Sequence, residues 1–81
     1  MKDHEFTLIL NSDPTESQAN DLYGIFNDGT ISTVAGVAQI HFHRAAASLE
    51  DAIRSAIADV RKGGFNVDRV EMQPDALLQA T

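Results

Sequence analysis

His41 and His43 stand two residues apart in VAQIHFHR, a run in which apolar and polar side chains alternate. On a strand, that spacing sends both imidazoles out of one face. Two imidazoles so placed can supply two ligands of a zinc ion, and a third would come from a neighbouring strand, with His4, Glu5 and Glu71 as candidates. The same pair also reads as solvated polar residues on an open sheet, or as a surface that changes charge near neutral pH. The expectation is no resident metal and no cofactor, with His41 and His43 the candidate ligands if one were held.

Other chemistry finds less support. Nucleophilic catalysis needs a Ser or Thr beside a base that a third group orients. Ser48 is used as a helix cap, Ser32 and Thr33 fall near a hairpin end, and no spacing puts a carboxylate behind a histidine. Glu50 with Asp51, and Asp68 with Glu71, have the positions of helix-start and edge-strand charges rather than of a paired acid and base. Gly63-Gly64 closes a helix, where the dipole disfavours anions, so it is no phosphate cradle. Stacking RNA bases needs aromatics on the outward face of central strands, and Thr7, Ile9, Gln39, His41 and His43 include no Phe or Tyr. Neither an enzyme nor a direct nucleic-acid binder is expected.

Charge is the remaining signal. The 81 residues carry a net charge of −6, and between Asp3 and His43 there is no Lys or Arg at all. Asp3, Glu5, Asp13, Glu16, Asp21 and Asp28 fall in that half, whereas from Arg44 onward five bases nearly balance six acids. Such a surface repels phosphate backbones and attracts basic ones. Acidity also keeps small domains soluble, and a solvated face is its commonest meaning. Ile9, Ile25 and Leu77-Leu78 are the apolar residues expected to be exposed and able to seed a contact.

The elements that position these residues follow from local pattern. Residues 48–62, SLEDAIRSAIADVRK, form a complete amphipathic helix. Ser48 is its cap and Asp51 completes an acidic capping box. Leu49, Ala52, Ile53, Ala56, Ile57 and Val60 make one apolar stripe, with acids leading and bases trailing as the macrodipole prefers. Residues 5–10 alternate as a first strand, with Phe6, Leu8 and Leu10 on one face. Thr15 with Gln18 makes a capping box for a first helix carrying Ala19, Leu22, Tyr23 and Phe26 at helical spacing, ended by Asn27-Asp28-Gly29. Residues 30–34 and 37–44 are strands joined by an Ala35-Gly36 turn, with Ala38, Ile40 and Phe42 inward. Phe65 tucks beneath the second helix, and residues 66–72 form a last strand. Val67 is out of phase there with Val70 and Met72, so a bulge is expected.

Strand, helix, strand, strand, helix, strand predicts an α+β fold: a ferredoxin-like split β-α-β arrangement. Its four-stranded sheet would be antiparallel or mixed, the first and third strands central and both helices on one face. Residues 1–73 are read as a single domain and 74–81 as a tail of weak helical character. The chain has no cysteine and no apolar run long enough to span a bilayer, and it opens MKDHEF where a signal peptide needs an apolar core. A cytoplasmic protein is expected.

FHRAAASLEDAIRSAIADVRKGG, preceded by DLYGIFNDGTISTVAGVAQI and followed by VDRVEMQPDALL, resembles the N-terminal α/β domain of a family of small bacterial DNA-binding proteins. These carry a C-terminal helix-turn-helix of excisionase or antitoxin type. The matching features are the serine cap, the Ala-Ile pairs and Asp59-Val60. The family has acids flanking the strand phenylalanine, whereas Phe42 sits between His41 and His43. In the family the segment resembling residues 74–78 leads into DNA-reading helices. None follows in this sequence, so the resemblance implies a regulatory or partner-binding role without DNA binding.

The functional expectation is a non-enzymatic acidic module engaging a basic partner protein through Asp13, Glu16, Asp21 and Asp28. In its sharpest form it is a phage or mobile-element inhibitor of anti-CRISPR type that imitates nucleic acid and blocks a nucleic-acid-binding surface. The alternative is an antitoxin-like interaction domain lacking its helix-turn-helix, with a toxin or a second copy of itself as partner.

Overall fold

The computed structural model describes residues 2–72. Six elements follow one another: β1 (Lys2–Leu10), α1 (Glu16–Ile25), β2 (Gly29–Val34), β3 (Val37–Ala46), α2 (Leu49–Lys62) and β4 (Val67–Glu71). The fold is α+β, with one four-stranded sheet in the order β2-β3-β1-β4 and every neighbouring pair antiparallel. Both helices contribute to a single apolar cluster with Phe6, Leu8, Leu10, Ala38, Ile40 and Phe42, so they cover the same sheet face.

Local chemistry accounts for the elements. Thr15 accepts from the Gln18 N–H at 3.2 Å while the Gln18 side chain accepts from the Thr15 N–H at 2.9 Å, so the reciprocal cap of α1 is complete. Ser48 caps α2 by accepting from the Asp51 N–H at 3.1 Å. Ala35 and Gly36 both take positive φ, 52° and 78°, the hairpin geometry that matches strand twist. The expected bulge lies in β4: Ile9 pairs with Arg69 but Leu10 with Val67, leaving Asp68 as the extra residue. Phe65 is buried beneath the end of α2, its N–H bonded to the Val60 carbonyl.

Four local expectations are corrected. First, α1 stops at Ile25, ahead of Asn27-Asp28-Gly29, because Phe26 turns extended (φ −132°, ψ 151°) and drives its ring into the core. There Phe26 meets Phe42 at a centroid distance of 4.9 Å, and Phe42 stacks on Phe6 at 5.5 Å. Gly29 follows because no side chain fits: a Cβ would lie 2.9–3.0 Å from Phe26, Ile40 and Phe42. Second, β1 and β3 run longer than their apolar alternation, starting at Lys2 and ending at Ala46, because they pair with each other to those ends. Third, Ile9 is buried to 2% exposure although it faces away from the helices. Its cross-strand partners are Gln39 and Arg69. Fourth, Ile25 is half-buried against the core rather than exposed. Leu77-Leu78 and the tail lie outside the described residues.

Candidate functional site

Two groups of polar side chains stand apart from the packing: the acids at the α1 end of the molecule and the imidazoles of the open sheet face. The fold treats the four acids differently. Glu16 begins α1 and Asp21 lies in its middle; both are exposed and have no hydrogen-bond or ion-pair partner among the described residues. Five positions apart, they project about 140° from each other around the helix axis. Asp13, in the preceding loop, is exposed and accepts a hydrogen bond from the Thr33 hydroxyl at 3.0 Å, which ties the loop to β2.

Asp28 does not belong with them. Arg44 folds back onto it, donating from Nε and Nη2 at 2.7 and 2.9 Å, and the same guanidinium reaches Asp59 at 2.9 Å and the Ser55 hydroxyl at 3.1 Å. The Arg44 side chain is only 11% exposed and lies over the Phe42 ring, 5.0 Å from its centroid. Its hydrogen bonds hold the Asp28 carboxyl below the usual carboxylate range against the opposing effect of burial. The same bond to Asp28 raises the Arg44 pKa. Asp28 is therefore a structural anchor joining the start of β2, β3 and α2, and the expectation of a free acid there is overturned. The signal was available: the two-residue hairpin sets Val34 opposite Val37, and counting back puts Asp28 beside His43 and Arg44.

On the open face, β1 pairs with β3 so that Glu5 lies opposite His43 and Thr7 opposite His41. Glu5 Oε1 is 3.1 Å from His41 Nε2 and 3.5 Å from His43 Nε2, and Thr7 Oγ1 is 2.9 Å from His41 Nδ1. The two imidazole rings meet edge to face at 4.9 Å. Of the three candidates for a third ligand, Glu5 is the one brought in. His4 has the parity of Phe6 and Leu8 and so faces the helices, with its Nε2 buried and without a hydrogen-bond partner among the described residues. Glu71 shares a shallow hollow with Glu5, Thr7, Gln39 and His41, but accepts from Arg69 at 3.0 Å.

Glu5 does stand behind His41, contrary to expectation, and Thr7–His41–Glu5 has the order of a nucleophile, base and orienting acid. A triad also needs donors aimed at an oxyanion. Thr7 lies on an inner strand flanked by two antiparallel partners, where the backbone N–H groups belong to the ladder. Ser48 and Ser55 are both engaged in helix contacts. Among the described residues no helix is long and apolar enough to cross a membrane. The chain matches no family model, no curated protein and no solved structure with which it was compared.

Proposed function

We propose that the chain is a non-enzymatic binding module, built on a ferredoxin-like split β-α-β platform, that engages a basic surface of a partner protein through Asp13, Glu16 and Asp21. The element order and the sheet order β2-β3-β1-β4 support the platform. The single observation that carries the function is the contrast between acids: Asp28 and Asp59 are paired with Arg44, while Glu16 and Asp21 stay exposed and unpaired among the described residues. Carboxylates fixed on a capped helix lose little entropy on meeting a cation, and their field steers encounter. A partner that binds nucleic acid presents the matching basic surface, so blocking that surface, as anti-CRISPR-type inhibitors do, is the sharpest form of the reading.

The test is capture from the native host at low and high salt with wild type and with Glu16→Lys/Asp21→Lys. A partner retained by wild type at low salt, released by salt and lost to the double variant is the expected result. Capture that charge reversal leaves unchanged sinks the reading.

A second reading has its own observation. Val34 and Val37 face each other across the tip of the β2–β3 hairpin at 55% and 39% exposure, beside the free edge of the sheet. An antitoxin-like or regulatory interaction domain would use such an edge to pair with a second copy. Sedimentation equilibrium distinguishes it: a dimer that Val34→Lys dissociates supports this reading, and a monomer at all concentrations removes it.

A further inference from the structure

We propose that Glu5, His41 and His43 form a binding site for one divalent transition-metal ion, with zinc the best chemical match, on the open face of the sheet. The three residues come from two adjacent inner strands, and their ligand atoms all lie within 4.8 Å of one another. Two ligands about 2.05 Å from a tetrahedral ion stand about 3.3 Å apart. The separations from Glu5 Oε1 to the two Nε2 atoms, 3.1 and 3.5 Å, bracket that value. The two imidazole ligand atoms lie within 4.8 Å of each other, so a modest approach of the side chains would close the third edge around an ion.

The outer contacts agree. A histidine that binds metal through Nε2 carries its proton on Nδ1 and needs an acceptor for it. Thr7 Oγ1 sits 2.9 Å from His41 Nδ1, where its hydroxyl oxygen can accept that proton and hold the ring in place. Two imidazoles and a carboxylate suit zinc's borderline character, and three protein ligands leave a fourth position for water. The side chains are 40–61% exposed, so the ion has an entry path and the ligands have room to close on it. Because β1 and β3 are the central pair of the sheet, a bound ion would clamp the two strands together.

The experiment is a zinc titration of tag-free, chelator-treated protein by calorimetry, followed by thermal unfolding with and without zinc. One zinc per chain and a raised unfolding midpoint are expected. Thr7→Val should weaken binding by about 10-fold, and His41→Ala, His43→Ala and Glu5→Ala by at least that much. All four positions are exposed or half-buried, and circular dichroism of each variant checks that it folds. Asp68→Asn, on β4, should bind as wild type does. Cobalt in place of zinc should give the visible absorption of a four-coordinate ion, lost in His41→Ala. Absence of binding, binding undiminished by the histidine variants, or one ion per two chains overturns the proposal.

Discussion

Arg44 holds two carboxylates at once, and that fact sets the acid response of the fold. Asp28 has its pKa lowered by the hydrogen bonds from Arg44, so the folded state binds its proton more weakly than the unfolded chain does. The stabilisation is complete above the unfolded carboxylate value, about 4, and is lost as pH falls through the lower folded value. Asp28→Asn should therefore destabilise at pH 7 and lose its deficit in acid. Urea unfolding at several pH values checks this, and a deficit that stays constant into acid would refute it. Arg44→Met leaves Asp28 and Asp59 half-buried without their cation and should cost about 2–3 kcal/mol at neutral pH. The residues of this anchor were within reach of the sequence, because the hairpin turn fixes a short-range register. Glu5 beside His43 was not, since 36 residues and a helix separate Glu5 from His41 and no local preference sets how β1 meets β3.

The two helices are held unequally. In α2, Ala52, Ala56 and Val60 are fully buried and small enough to let the helix settle on the sheet. In α1 Leu22 is the only buried residue of the helix proper, supported by Phe26 just beyond it and by Tyr23, whose hydroxyl accepts from the Ile31 N–H at 2.9 Å. That bond also occupies a donor on the free edge of β2. Hydrogen exchange should find the α1 amides opening well before those of α2; equal protection would show that α1 is held by contacts beyond these. The joint between the helices is Gly63, where a Cβ would run into the Leu22 side chain. Gly63→Ala should destabilise by about 1–3 kcal/mol through overpacking. Gly24→Ala meets no neighbouring atom within 4 Å and should be neutral or stabilising by up to about 1 kcal/mol on helix propensity. Comparing their denaturant midpoints tests the assignment. The caps, the stripe of α2 and the hairpin turn were all legible in sequence because each is decided within about one helical turn or one tight turn.

At the scale of the molecule, charge and shape are separable. The fold joins Arg44 to acids of both halves, yet leaves Asp13 and Glu16 exposed at the end where α1 starts and β2 finishes, and Asp21 exposed midway along α1. Raising salt from 0.01 to 0.1 M shortens the screening length from about 30 to about 10 Å. Partner association should slow markedly over that range while the unfolding midpoint does not fall, since the core is apolar and Arg44 is shielded from solvent. A midpoint that dropped with salt would place the stabilising charges at the surface instead. The sequence by itself determined the net charge, its imbalance between halves, the six elements and the inward sets Phe6, Leu8, Leu10 and Ala38, Ile40, Phe42, because periodicity and capping are short-range properties. Only the tertiary structure decided that Arg44 also reaches Asp59 on α2, that Ile9 is buried, and that Glu5 joins His41 and His43. Those outcomes depend on strand register and on how distant side chains meet across the sheet, which no local pattern encodes.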